Sequence, residues 1–421
     1  MKRLLLIVLL ALAVPCAAQR PPVLIPRGLE GESASFSAFR QKLDSLVHWG
    51  TGDVRVLHVG GSHVQGGTWS DRLRTRFLSL RYGLDGGRGL VFPFAAALTN
   101  TPVSYTTSYS GLWESHNCIK ADGSDLGLTG IAAEVKDTAS RVAVDLARNG
   151  GPVLRQSYAF NRVDVLGEGE MEPVLLLQGR DTVYGVKGHQ YTHFDLPYYT
   201  DWLQVFFKGE GRYTLRGLYL DRTGGGFTYS EAGINGASTS SWAKCSHWAE
   251  DLSRVMPDLV IFSIGINDIQ GHDFDSRRFK ENYRFLIRQV QDVNPRCAVL
   301  FSGINDSYYK GKHVNPHTSD VEKAFRELAS ECDGVFWDMY EVMGGYGSSD
   351  AWKEAGLMQG DRVHFTPAGY RLIGDLLFDA IMAWPTVIPG PSSVIPGPSS
   401  VIPGPSSVIP GPDRVSNTVV R

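Results

Sequence analysis

From residue 227 onward the sequence alternates short apolar runs with longer amphipathic segments, and this alternation constrains the fold most. Residues 258–264 (DLVIFSI) are almost continuously apolar, which is typical of a strand buried on both faces. In the following segment, 276–293, the apolar side chains recur at helical spacing. Strands that alternate with helices predict a parallel sheet covered on both faces, and hence an α/β fold. We expect further strands at 227–233, 298–302 and 334–337, and helices at 239–255, 319–331 and 367–383.

The same rhythm begins near the start of the chain. Residues 54–59 (VRVLHV) read as a buried strand, and Gly60, Gly61 and Ser62 follow as a sharp turn. We expect a helix before this strand, at about 35–49, and another after it, at about 68–82. The first strand of the sheet is therefore separated from the others by more than 130 residues.

The intervening residues have a different texture. Between 92 and 225 short alternating runs are separated by glycine-rich turns, which predicts an inserted β-sandwich in a discontinuous α/β domain formed by 19–91 and 226–384. Within the insert, 203–209 and 213–220 read as two paired strands. From 385 to 421 a seven-residue Pro/Gly/Ser repeat predicts an extended tail, because Pro and Gly are incompatible with a regular helix.

The first 18 residues have the layout of a secretory signal peptide. A basic start is followed by an apolar run from 4 to 14 and by small residues before a cleavage position after Ala18. We expect export to the periplasm, the medium or the cell surface. Cys16 raises the alternative of a lipoprotein, which we favour less because Pro15 precedes it.

Composition argues against a disordered chain and against a nucleic-acid-binding protein. Hydrophobic residues make up 43% of the chain, so it can form a core and is not globally disordered. The net charge of -3 offers no basic excess for a nucleic-acid partner. Four cysteines follow the predicted signal peptide: Cys118, Cys245, Cys297 and Cys332. Their spacing is not that of a metal site, and they could be paired in disulfides or stay as free thiols.

Two segments suggest nucleophilic catalysis. Ser62 on a strand-to-helix turn would be exposed at the carboxyl edge of the sheet, as a nucleophile requires, although serine also caps helices. Asp361 and His364 are three residues apart before the last predicted helix. One turn of chain would let the Asp hold the imidazole as a general base; the alternative is two unrelated polar loop residues.

Two further segments follow predicted strands and could stabilise an oxyanion. Asn267 in GIND can donate a side-chain N–H. In GINGAS the backbone N–H of Gly236 can approach a substrate oxygen, with Gly233 as the second choice if the register differs. Simple polar turns are the alternative for both segments. All four segments fall at carboxyl ends of strands, where open α/β sheets bind ligands.

In these four segments the chain resembles the SGNH (GDSL-type) hydrolase family, over roughly 51–82 and 227–383. The resemblance implies a flavodoxin-like three-layer α/β/α fold, here with an inserted all-β, jelly-roll-like module. It also implies a catalytic triad of Ser62, His364 and Asp361, and an oxyanion hole formed by Ser62, Gly236 and Asn267, with no metal or organic cofactor. Gly61 departs from the family, which usually has Asp before the nucleophile, and a local hydrogen-bond acceptor is lost with it.

The inserted module suggests the substrate. Peptidoglycan O-acetylesterases of this family resemble the chain in carrying such a module within the hydrolase. We therefore expect a serine esterase that removes O-acetyl groups from a polysaccharide, with peptidoglycan as a candidate substrate. His63 beside the nucleophile is a candidate for shaping the acyl pocket, and Trp113, Tyr105 and Tyr109 are candidates for stacking on sugars or for core packing.

Two other functions remain open at this point. An inert hydrolase fold could serve glycan binding or surface assembly, with Gly61 as its symptom. An O-acyltransferase would use the same acyl-enzyme, with a sugar hydroxyl in place of water.

Overall fold

The structure is a computed structural model that describes residues 24–120, 125–147, 158–270 and 273–386. The predicted signal peptide and residues 387–421 of the predicted tail lie outside this range. Among the described residues, no helix has both the length and the apolar character needed to cross a membrane. The helices are α1 (Ala34–Trp49), α2 (Ser62–Gln65), α3 (Thr68–Leu78), α4 (Thr239–Trp242), α5 (Trp248–Val255), α6 (Ser276–Val293), α7 (Thr318–Glu331), α8 (Met339–Met343), α9 (Ser348–Glu354) and α10 (Pro367–Met382).

The strands fall into a parallel group and an antiparallel group. They are β1 (Asp53–Gly60), β2 (Gly89–Val91), β3 (Thr106–Ser110), β4 (Trp113–Asn117), β5 (Ile131–Val135), β6 (Arg141–Asp145), β7 (Phe160–Gly169), β8 (Glu172–Leu177), β9 (Asp181–Tyr184), β10 (Val186–Lys187), β11 (Tyr191–Thr200), β12 (Trp202–Lys208), β13 (Tyr213–Asp221), β14 (Gly226–Gly233), β15 (Leu259–Ser263), β16 (Ala298–Phe301), β17 (Tyr308–Tyr309), β18 (His313–Val314) and β19 (Val335–Phe336).

The parallel sheet has the order β14-β1-β15-β16-β19, and every neighbouring pair in it is parallel. In chain order this is 2-1-3-4-5, the flavodoxin-like arrangement. All five residues of β15 are buried, as its continuous apolar sequence predicts. The three-layer α/β/α fold expected from the sequence is confirmed.

The residues from β2 to β13, which we call the β module, form two antiparallel sheets. One has the order β10-β11-β7-β13-β5-β4, with β2 also paired to β13; the other has the order β3-β6-β12-β8-β9. The module's first strand, β2, lies just before the expected bounds of the insert, 92–225, and its last strand, β13, ends within them. An all-β insert in an α/β fold is confirmed.

The expected pairing of 203–209 with 213–220 is wrong. β12 pairs with β6 and β8, whereas β13 pairs with β2, β5 and β7 in the other sheet. Gly209 and Gly211 adopt positive φ angles of 95° and 101° between the two strands. The chain thus crosses from one sheet to the other, and Phe207 meets Tyr213 across the core with ring centroids 5.0 Å apart.

The expected single helix over 239–255 is also wrong, because α4 and α5 are separate. The His247 N–H donates to the carbonyl of Leu126 at 2.9 Å, and His247 forms a parallel bridge with Gly127. A segment of the β module thus takes up backbone groups that a continuous helix would have used. Local periodicity could not reveal this competition from a distant segment.

A buried ion pair joins the β module to the α/β domain. Arg216 on β13 and Asp251 on α5 are 0% and 1% exposed, and the Arg216 Nη2 lies 3.1 Å from the Asp251 Oδ1. The other oxygen of Asp251 accepts the Leu128 N–H at 3.1 Å. Loss of one member would leave the other charge buried without its partner.

We expect Asp251→Ala to lower the free energy of unfolding by about 3–5 kcal/mol, because Arg216 would stay buried with only the more distant Glu168, at 3.7 Å, as a carboxylate partner. Urea denaturation measures this. The matched control is Glu331→Ala, which removes the solvent-exposed pair with Arg284 and should cost about 1 kcal/mol or less. Equal losses in the two variants would contradict the role assigned to the buried pair.

Candidate active site

Ser62 directly follows the turn at the end of β1, at the carboxyl edge of the parallel sheet. A Cβ atom on Gly60 would lie 2.3 Å from Cγ2 of Val64, so the turn requires glycine there. Ser62 is the first residue of α2, and Gly61 is its cap. The Ser62 N–H therefore has no acceptor within the helix and is available to a ligand.

The Ser62 hydroxyl is hydrogen-bonded to His364, 302 positions later in the chain, with 2.8 Å between Oγ and Nε2. The other ring nitrogen of His364, Nδ1, lies 2.7 Å from Oδ2 of Asp361. The second oxygen of Asp361 accepts the backbone N–H groups of Val363 and His364 at 2.9 and 3.0 Å. The carboxylate is thus fixed on both sides and orients the imidazole towards the serine.

The local hydrogen bonds also determine the charge of Asp361. Partial burial acts to raise its pKa, but the hydrogen bonds from the His364 N–H, the His364 ring and the Val363 N–H outweigh this effect. The pKa of Asp361 therefore lies below its usual range, and the side chain stays ionised at neutral pH.

Gly236 and Asn267 lie beside this hydrogen-bonded set. Asn267 donates its side-chain amide to the carbonyl of Ala237 at 2.9 Å, which ties it to the turn that contains Gly236. A Cβ placed on Gly61 would lie 3.3 Å from the Asn267 Nδ2, which shows how closely the nucleophile turn approaches Asn267. The Ala237 carbonyl orients this amide without an Asp at position 61.

The structure separates the two glycine candidates. Gly233 is buried, and a Cβ there would lie 2.3 Å from the backbone N of Gln65, so its role is close packing against α2. Gly236 is exposed, with a φ of +80°, in a turn closed by the Ala237 N–H to the Ile234 carbonyl at 3.0 Å. Gly236 is thus the accessible one of the two glycines, and it lies in the turn to which Asn267 is bonded through Ala237.

His63 does not line an open pocket. It is 6% exposed, its Nδ1 lies 2.8 Å from the Tyr370 hydroxyl, and its ring packs on that of His364 with centroids 5.3 Å apart. Burial, and then the proximity of His364, lowers the pKa of His63 to about 3, so it is neutral. His63 therefore supports His364 from the protein interior, and a direct substrate contact is not what its position favours.

The aromatic candidates of the β module differ from one another. Tyr105 is 2% exposed and its hydroxyl donates to the Phe92 carbonyl, so the expectation of a sugar contact is wrong for it and core packing is correct. Trp113 is half-buried, donates to the Ser110 carbonyl and packs on Phe207. Tyr109 is 44% exposed.

Sequence reasoning missed a polar network that holds the Gly236 turn. The Gln65 side chain accepts the Asn235 N–H at 2.6 Å and donates to the Asn100 carbonyl at 3.0 Å. The Asn235 amide donates to the Asn100 Oδ1 at 2.6 Å. Asn100 belongs to the β module, and no motif marks it; only its position in space assigns it to the site.

Asp268 links the Asn267 segment to the helix after the Gly236 turn. Its carboxylate accepts the Thr239 N–H at 3.1 Å and the Thr239 hydroxyl at 2.6 Å. Burial outweighs these hydrogen bonds and raises the pKa of Asp268 to about 6. Within the described part of the chain, no group of three or more His, Cys, Asp or Glu side chains is arranged to hold a metal ion.

Residues 200–372 match the model of the GDSL-like lipase/acylhydrolase family. This range contains Gly236, Asn267, Asp361 and His364, and it begins after Ser62. A solved peptidoglycan O-acetylesterase is similar over 84% of this chain and 98% of its own, with 25% sequence identity and a TM-score of 0.70. These two similarities support an SGNH (GDSL-type) hydrolase, and with it a carboxylic ester hydrolase.

Two other solved structures are similar over a smaller part of this chain. An acetyl xylan esterase matches 37% of this chain and 81% of its own, with 23% identity and a TM-score of 0.31. A lipase/acylhydrolase from Enterococcus faecalis matches 37% of this chain and 76% of its own, with 21% identity and a TM-score of 0.29. No curated protein matches the sequence.

The raised pKa of Asp268 predicts a pH dependence of stability. A carboxyl whose folded pKa of about 6 exceeds the unfolded value near 3.8 stabilises the fold at low pH, and this contribution is lost as the pH rises through 6. We therefore expect the free energy of unfolding of the wild type to fall, relative to that of Asp268→Asn, between pH 4 and about 7. Urea denaturation across this range tests it.

The matched control for this measurement is Glu210→Gln, which neutralises an exposed carboxylate in the turn between β12 and β13. A difference between wild type and Asp268→Asn that stays constant from pH 4 to 7 would contradict the assigned protonation.

Proposed function

We propose that this SGNH hydrolase is a serine esterase that removes O-acetyl groups from a polysaccharide, with peptidoglycan as the favoured substrate. The observation that carries the proposal is the continuous hydrogen-bonded series Asp361–His364–Ser62 at the open edge of the sheet. The nucleophile, the base and the group that orients the base all have the separations that acyl transfer requires.

In the proposed mechanism the Ser62 Oγ attacks the ester carbonyl while the His364 Nε2 takes its proton. The resulting imidazolium is stabilised by Asp361, which is ionised. His364 then returns the proton to the departing sugar oxygen, and an acetyl-Ser62 intermediate remains. A water molecule, deprotonated by His364, attacks this intermediate, and acetate leaves as Ser62 recovers its proton.

The negative charge on the tetrahedral oxygen needs donors that are already in place. The Ser62 N–H and the Gly236 N–H have no acceptor among the described residues, and Asn267 has a second amide hydrogen beyond the one given to Ala237. The Asn267 amide approaches the turn before Ser62 and is bonded to the turn that contains Gly236, so we assign these donors to the oxyanion hole. The Gln65–Asn100–Asn235 network keeps the Gly236 turn from moving away.

Two observations support a polymeric glycan as the substrate. The similar solved structure is a peptidoglycan O-acetylesterase, and at 84% coverage of this chain the likeness extends into the β module. The β module also reaches the site directly: Asn100 bonds to Asn235, and the Ile119 Cδ1 lies 3.3 Å from where a Cβ of Gly236 would be. A glycan in the site would therefore contact both parts of the protein. Peptidoglycan lies outside the cytoplasm, which agrees with the export expected for this chain.

We expect the purified protein to release acetate from O-acetylated peptidoglycan, and faster than from acetylated xylan, because the proposed substrate is peptidoglycan. Ser62→Ala should abolish release from every substrate. Ser79→Ala, at an exposed serine outside the site, should be unchanged. Chromatographic quantification of acetate provides the measurement, and addition of a free sugar acceptor detects acyl transfer by the same intermediate.

Each outcome is informative. Turnover of a small acetyl ester without release from either polymer would reject the substrate and keep the esterase. No turnover of any ester by the folded protein would reject the enzyme and favour a glycan-binding role for the inert fold. An acetylated sugar product in place of acetate would make the protein an acyltransferase.

We expect Asn267→Ala to lower kcat for a small acetyl ester by about 10²–10³, because one oxyanion donor is lost while the triad stays intact. Steady-state kinetics measures this, with circular dichroism to verify the fold. The matched control is Asn161→Ala, which removes an exposed amide of the β module that bonds to Thr223. A kcat for Asn267→Ala within a factor of three of wild type would contradict the assignment.

A further inference from the structure

The structure brings two of the four described cysteines together. Cys118 follows β4 in the β module, and Cys245 follows α4 in the α/β domain. The two thiols are free and close enough to interact with each other, and they are 0% and 2% exposed. The Cys297 thiol instead donates to the backbone carbonyl of Ala298 at 3.5 Å.

The backbone around the two thiols is held in place by independent contacts. The Cys118 N–H donates to the Gly130 carbonyl at 2.9 Å, and the Cys245 N–H donates to the Trp242 carbonyl at 3.2 Å. Trp242 in turn touches Gly130, since a Cβ on that glycine would lie 2.8 Å from the indole ring. The two cysteines are therefore anchored on segments that pack directly on each other.

The residues next to the cysteines repeat this contact. The Lys244 ammonium donates to the Ile119 carbonyl at 3.3 Å, so the neighbours of both cysteines also meet. Ile119 is the residue whose side chain faces Gly236. A bond between the thiols would thus secure the segment of the β module that borders the site.

We infer that Cys118 and Cys245 form a disulfide that fastens the Ile119 segment of the β module to the α4–α5 connection beside the Gly236 turn. Of the three pairings that four cysteines allow, the geometry points to the one that crosses between the β module and the α/β domain. This inference does not depend on the proposed esterase activity.

The oxidant that we name is a disulfide, either a small molecule such as oxidised glutathione or a thiol–disulfide oxidoreductase. One cysteine thiolate attacks this disulfide and releases a first thiol; the second cysteine then attacks the mixed disulfide and releases the other thiol. One S–S bond forms and one breaks, and the two cysteine protons end on the two released thiols.

The environment also determines when the bond can form. The hydrogen bond with Cys118, and then burial, raises the pKa of the Cys245 thiol well above its usual range. A buried thiol that stays protonated is a poor nucleophile, so exchange is slow in the folded protein. The bond forms while the chain folds in an oxidising compartment, and once formed it is shielded from reductants.

The test is a peptide map of the full-length protein, refolded in a buffer of oxidised and reduced glutathione, then denatured, alkylated and digested without reduction. We expect a disulfide-linked peptide pair that contains Cys118 and Cys245, with Cys297 and Cys332 alkylated. Recovery of Cys118 and Cys245 as alkylated thiols, or a link from either to another cysteine, would overturn the inference. The same map of protein made in the periplasm of an expression host removes the dependence on refolding.

A second measurement is the melting temperature of protein that was refolded with and without the glutathione couple. We expect the oxidised form to melt higher by on the order of 5 °C, because the bond closes a loop of more than 100 residues. Cys297→Ala should keep this difference, whereas Cys118→Ala and Cys245→Ala should each abolish it. An equal melting temperature for the oxidised and reduced wild type would contradict the fastening role.

Discussion

The hydrogen bond between Ser62 and His364 depends on the parallel sheet that brings distant parts of the chain to one edge. β1 lies between β14 and β15 with all strands pointing the same way, so the turns after them meet on the same side. The segment before α10 places the His364 ring within hydrogen-bond distance of the Ser62 hydroxyl, 2.8 Å away. If the register of β1 shifted by one residue, the hydroxyl would turn away from the imidazole.

The β module does more than fill the gap between the first strand and the rest of the sheet. Asn100 is hydrogen-bonded to Asn235 in the Gly236 turn, and the Ile119 side chain faces Gly236. The Leu126 carbonyl accepts the N–H of His247 between α4 and α5, where the sequence predicts one continuous helix. The buried ion pair between Arg216 and Asp251 joins the module to α5 of the α/β domain. The insert is therefore part of the architecture of the site, and the coverage of the similar peptidoglycan O-acetylesterase agrees with this.

The structure shows how Asn267 is held although Gly61 stands where the family usually has Asp. An Asp at this position would point its Cβ towards the Asn267 amide, 3.3 Å away. Here the Ala237 carbonyl accepts from that amide, so Asn267 is oriented without a neighbouring carboxylate. The loss of the usual Asp and an intact arrangement of Ser62, His364 and Asp361 are thus compatible.

The sequence by itself determined the α/β class, the presence of an all-β insert, and the Ser62, His364 and Asp361 residues that the structure brings together at the sheet edge. These depend on local periodicity and on turns that few residues tolerate. Only the tertiary structure decided that β12 and β13 belong to different sheets, that His63 and Tyr105 are buried, that Asn100 reaches the site and that Cys118 meets Cys245. Such facts depend on contacts between segments far apart in the chain, and no local pattern encodes which distant segment a side chain will face.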